Sequence, residues 1–87
     1  MEPVIHQLVP SETKEGWTGT VQIRGEGFDA DSFSFFGGFD PRTTFVSPTR
    51  LDAAITADIT KNADVLSVKV HTGEGNLSNE VPFTVTR

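Results

Sequence analysis

Apolar residues in this 87-residue chain recur at every second position in short runs, and Gly, Pro, Asn or Ser closes each run within a few residues. A period of two is that of a pleated strand with one face turned to a core. Thr20-Val21-Gln22-Ile23-Arg24 puts Val21 and Ile23 on one side. Leu51, Ala53 and Ile55 repeat the spacing, as do Leu66, Val68 and Val70, and then Val81, Phe83 and Val85. Between the runs stand Pro10 to Gly16, Gly25-Glu26-Gly27, Gly37-Gly38 with Pro41, Ser47-Pro48-Thr49, Lys61 to Asp64, and Gly73-Glu74-Gly75-Asn76. Turn signals at such intervals predict an antiparallel sandwich or barrel. The stretch from Thr56 to Asp64 is the one candidate for a helical turn, and it is too short and too weakly periodic for more. Pro82 has no N–H for a ladder, so the last strand is expected to begin after it.

Composition narrows the classes. No internal repeat or linker-like tract divides the chain, and residues 1–87 are expected to form a single domain. With no Cys there is no disulfide framework, thiol nucleophile or Cys-based zinc site, which fits a reducing compartment. A net charge of −5 and a pI near 4.7 argue against nucleic acid as a partner, because phosphate binding depends on clustered Lys and Arg. No apolar run approaches the ~18 residues needed to cross a bilayer, so no membrane insertion is expected.

Chemistry-bearing constellations are sparse. His6 and His71 are the only imidazoles, and neither has a partner at catalytic or metal-ligand spacing. The chain is expected to be no enzyme and to need no cofactor. Asp29-Ala30-Asp31-Ser32 alternates carboxylates as a Ca²⁺ loop does, but it is read as a turn whose side chains bond backbone amides, since Ca²⁺ requires six to eight oxygens. Phe33, Phe35, Phe36, Phe39 and Phe45 crowd a short segment in which alternation cannot bring them all to one face. A bulge that returns all but one to the core is the favoured reading, and the Phe left outside marks a contact surface. Trp17, after Gly16, either lids the end of the sandwich or stands out as a stacking platform.

Taken together, Gly19-Thr20-Val21-Gln22-Ile23-Arg24-Gly25-Glu26-Gly27-Phe28, Phe36-Gly37-Gly38, and Gly75-Asn76-Leu77-Ser78-Asn79 before Phe83-Thr84-Val85 resemble the IPT/TIG family. Pro3-Val4-Ile5 and Val9-Pro10-Ser11 look like that family's first strand and its exit. The likeness runs from Pro3 to Val85 and implies an immunoglobulin-like (E-set type) antiparallel β-sandwich of about seven strands. Gly25 is expected to let the chain reverse so that Phe28 plugs the end of the sandwich. The family carries an apolar residue where this chain has Ser34, so a bulge or a shift of one residue is expected between Phe33 and Phe36.

The resemblance implies a non-catalytic structural or protein-interaction module. Loops rich in Glu and Asp depart from the DNA-binding members of the family. The opening Met1, the lack of an export signal and the acidic, Thr-rich composition lead to the expectation of a bacteriophage virion decoration or tail accessory protein, assembled in the cytoplasm, or a bacterial surface-protein module. The alternative is a carbohydrate-binding accessory domain of a polysaccharide-active enzyme. A protein partner or self-association is expected, with carbohydrate as the other ligand class. The expected partner-binding residues are Phe39 in the turn after Gly37-Gly38, Arg42 beside it, and Trp17.

Overall fold

The structure is a computed structural model and describes residues 2–87; Met1 lies outside the described residues. Eight strands follow one another: β1 (Val4–Val9), β2 (Glu12–Lys14), β3 (Gly19–Glu26), β4 (Phe33–Phe36), β5 (Arg42–Ser47), β6 (Arg50–Ile55), β7 (Asp64–His71) and β8 (Val81–Thr86). They form two four-stranded sheets, ordered β1-β3-β6-β5 and β2-β8-β7-β4. Pairing is antiparallel throughout, except that β2 runs parallel to β8.

Alternation did what its period requires. Val21 and Ile23 of β3, Leu51, Ala53 and Ile55 of β6, Leu66, Val68 and Val70 of β7, and Phe83 and Val85 of β8 all turn inward and are buried together. Phe36 joins them with its ring edge-on to Phe83, centroids 5.3 Å apart. Each such side chain contributes about 1.5–3 kcal/mol relative to exposure. Phe28 is buried as expected, its N–H donating to Pro48 O at 3.1 Å.

Gly25 owes its place to a close approach rather than to a turn. It lies within β3 opposite Ile5, and a Cβ there would sit 1.8 Å from Val4 O. The reversal falls to Gly27, whose φ of +80° is left-handed.

Three further expectations need correcting. No bulge interrupts β4: it pairs regularly with β7, Ser34 opposite Val70 and Phe36 opposite Val68. Ser34 therefore occupies a fully buried inward position, and Phe33 and Phe35 both point outward. The site tolerates a hydroxyl because it is satisfied. Thr43 Oγ1 donates its one hydrogen to Pro41 O, and so accepts from both the Ser34 N–H at 3.1 Å and the Ser34 hydroxyl at 2.7 Å.

Second, β8 begins at Val81 and includes Pro82, which lies opposite Ser67. Thr84 donates its N–H to Ser11 O, away from β7. Pro82, two residues earlier, faces the same way, beyond the reach of β2, so the β7 ladder loses no bond. Third, the segment from Pro10 to Gly16 holds a strand. The chain leaves the first sheet at the cis Val9–Pro10 bond, and β2 then joins the second sheet. That three-residue strand raises the count among the described residues from the expected seven or so to eight, and it is too short to show a period.

The stretch after Ile55 is a turn closed by Ile59 N donating to Thr56 O at 3.1 Å, and it buries Ile59 and Thr60. On the far side of the sandwich, Asn79 bonds both backbone groups of Ile5: Oδ1 accepts from the N–H at 2.7 Å and Nδ2 donates to the carbonyl at 3.1 Å.

Val68 is fully buried between the sheets. Val68→Asp is expected to cost more than about 3 kcal/mol by placing an unpaired charge there. Urea unfolding of the variant checks this, and an unchanged midpoint would mean that this face is not the core.

Candidate functional site

Phe39 and Arg42 line one cleft. Phe36 N donates to Phe39 O at 2.8 Å and Phe39 N to Phe36 O at 3.0 Å, closing a tight hairpin over Gly37-Gly38. Phe39 is 37% exposed. With Pro41, Arg42 and Ile59 it lines an open cleft of about 390 Å³ at the end of the sandwich.

Trp17 is at that same end but outside the cleft. It is half-buried against the core, and its ring covers Gly19 so closely that a Cβ there would fall 2.7 Å from it. Thr60 Oγ1 donates to Trp17 O at 2.8 Å, and Gly16 N to Thr60 O at 2.9 Å. Trp17 thus covers the end of the sandwich while remaining partly exposed. Phe45 is likewise half-buried against the core.

A second surface, within the Phe33 to Phe45 region expected as an interface but centred on residues other than Phe39, lies on the outer side of β4 and β7. Phe33 pairs with His71 and Phe35 with Lys69, and His71 bridges on its other side to Leu77. Antiparallel partners share a face, so Phe33, His71 and Leu77 form a row across the sheet, with Phe35 and Lys69 in the next row. The Phe33 ring lies 5.1 Å from His71, tilted by 36°, and 5.3 Å from Phe35, edge-on at 74°. Lys69 Nζ stands 5.9 Å from the centre of the Phe35 ring. Phe33 is 40% and Leu77 52% exposed. Reading a bulge into β4 hid this surface, because without one both Phe33 and Phe35 face outward.

The Asp29 turn is built from its own backbone. Asp29 Oδ1 accepts from Asp31 N at 3.0 Å, Ser32 Oγ at 3.1 Å and Gly73 N at 3.2 Å, while Ser32 Oγ accepts from Asp29 N at 2.9 Å. This is the amide-bonding turn read from the sequence. Among the described residues, no three His, Asp or Glu side chains gather as a metal site. No helix among them is long and apolar enough to cross a membrane.

Two face-to-face sheets whose first strand switches from one to the other define an immunoglobulin-like sandwich. Part of a solved structure, the gamma-CGTase from alkalophilic Bacillus clarkii, is similar to this chain, with a TM-score of 0.78 at 21% sequence identity. The match covers 97% of this chain and 12% of that enzyme's chain. No family model and no curated protein sequence matches the chain.

The Gly73 N–H, opposed by desolvation and helped by Ser32, Asp31 and Glu74, lowers the Asp29 carboxyl from its ordinary value. A depressed folded-state pKa adds stability that is fully present above about pH 4 and is lost as pH falls through the lower folded value. Asp29→Asn is therefore expected to flatten the decline of the thermal midpoint below about pH 4. Melting curves of both proteins across the acid range check this, and parallel declines would show that Asp29 titrates alike in the folded and unfolded chain.

Proposed function

We propose that this chain is a non-catalytic immunoglobulin-like interaction module of IPT/TIG type whose contact face is the outer side of β4 and β7. The observation that carries the reading is the row Phe33, His71 and Leu77 beside Phe35 and Lys69. Single exposed apolar residues are ordinary on protein surfaces, whereas a contiguous group on a rigid sheet marks an interface. Exposed aromatic residues are enriched at the centres of protein interfaces. A Cys-free, acidic domain suits assembly in a reducing compartment, which supports a virion decoration or tail accessory protein, or a bacterial surface-protein module. The first partner to test is a second copy of the chain.

Sedimentation equilibrium over a wide concentration range is expected to show association in the native protein and its loss in the double variant Phe33→Ser, Phe35→Ser. Phe39→Ala is expected to change stability by no more than about 1 kcal/mol and to leave association intact. Loss of association in Phe39→Ala alone would move the contact surface to the end cleft. A native protein that stays monomeric at every concentration would remove self-association.

The structural match favours a second reading. The gamma-CGTase is a carbohydrate-active enzyme, which supports an accessory carbohydrate-binding domain in which Trp17 or an exposed Phe stacks on sugar. A glycan array probed with the native domain and with Trp17→Ala tests it. Binding that weakens in the variant supports the reading, and silence from the native domain ends it.

A further inference from the structure

The outer face of the other sheet carries an open cleft of about 480 Å³. Its floor is β3 and β6, and its two walls stand at irregularities in the edge strands. The register of β1 shifts between Ile5 and Gln7, and that of β5 shifts between Phe45 and Ser47. The residues set out by those shifts, His6 and Val46, line the cleft from opposite sides. Bulges bend a strand and re-aim its side chains, so the paired irregularities make this end of the sheet concave.

Arg24 and Arg50 face each other across the floor as direct register partners. Like charges so placed repel, and they are only partly compensated. Arg50 pairs with Asp52, Nε to Oδ1 at 3.0 Å and Nη2 to Oδ2 at 3.3 Å. Arg24 instead donates to the neutral Gln22 Oε1, from Nε at 3.1 Å and Nη2 at 2.8 Å. Among the described residues Arg24 makes no ion pair; Glu26 stands 3.3 Å from His6. Two of the five N–H groups on each guanidinium are engaged, which holds its plane and leaves three to donate. In a chain of net charge −5, two arginines are thus braced side by side, with Asp52 on Arg50 and Glu26 two residues along β3 from Arg24 as the carboxylates on the same face.

We propose that this cleft binds the carboxylate of an acidic sugar, a single uronate unit. Planar, braced guanidiniums match a carboxylate in forked geometry. The rest of the lining exceeds what a free anion would engage: Gln7, Ser47 and Thr49 offer amide and hydroxyl partners for sugar hydroxyls, and Val46, 47% exposed, offers an apolar contact for a ring face. The inference deepens the carbohydrate reading and rests on it.

The test is an NMR titration of the full 87-residue chain with glucuronate, with glucose and inorganic phosphate as separate arms. Glucuronate is expected to saturate and to move the amides of Gly25, Ser47, Thr49 and Arg50, while glucose leaves them in place. Arg24→Gln, at an exposed position, is expected to weaken glucuronate binding by about tenfold with no change in melting midpoint, and Arg24→Lys to restore part of it. Glucuronate binding unchanged in Arg24→Gln overturns the proposal. So does phosphate binding as tight as glucuronate binding, which would reduce the cleft to a plain anion site. If glucose and glucuronate bind alike and Trp17→Ala abolishes both, the uronate site falls and the carbohydrate reading stands. If no sugar binds, both fall.

Discussion

Contact between the two inner faces holds this molecule together, because a chain without cysteine has no disulfide cross-link between its sheets. Val21, Ile23, Leu51, Val68, Val70, Phe36 and Phe83 are fully buried in that contact. The sheets are also joined at their sides by polar groups that the apolar core cannot supply. On one side Ser34 of β4 bonds Thr43 of β5, and on the other Asn79 takes both backbone groups of Ile5 in β1. Each bond ties an edge strand of one sheet to a segment of the other and satisfies backbone groups that an exposed edge would leave open. Gly25 belongs to the same closure, since a side chain there would collide with Val4 O and push β1 away.

The period of the core strands was legible because burial alone sets it. Every inward residue read in β3, β6, β7 and β8 is inward in the structure, Val81 being half-buried at the margin. What could not be read is whatever depends on a partner distant in the chain. Ser34 looks like a fault in an apolar pattern until Thr43 stands beside it. Pro82 looks like a boundary until the direction of the Thr84 N–H shows which side of β8 needs donors. The three residues of β2 carry no period, and only the free side of β8 makes them a strand.

The same distinction governs the candidate sites. Phe39 and Arg42 are near neighbours in sequence, and a turn brings them together whatever the sheets do. Phe33, His71 and Leu77 come from three separated segments, and Arg24 and Arg50 from two strands. These groupings exist only once register is set, and a slip of one residue in β4 or β6 would send their side chains to the other face. The side-chain bonds at Ser34 and Asn79 tie the edge strands β4 and β1 to the opposite sheet, so residues that close the fold also fix the edges beside these surfaces.

Those surfaces lie back to back. The aromatic row occupies the outer side of β4 and β7, and the arginine cleft the outer side of β3 and β6, so the core of the sandwich separates them. The body measures 37 × 19 × 19 Å. Neither face borrows a core residue, since Phe33, Phe35, Lys69 and His71 alternate with buried Ser34, Phe36, Val68 and Val70, and Arg24 follows Ile23. In a pleated strand the residue that packs and the residue that can bind are adjacent in sequence yet turned to opposite sides. Either outer face can therefore change its chemistry while the core, and with it the register that aligns both faces, stays as it is.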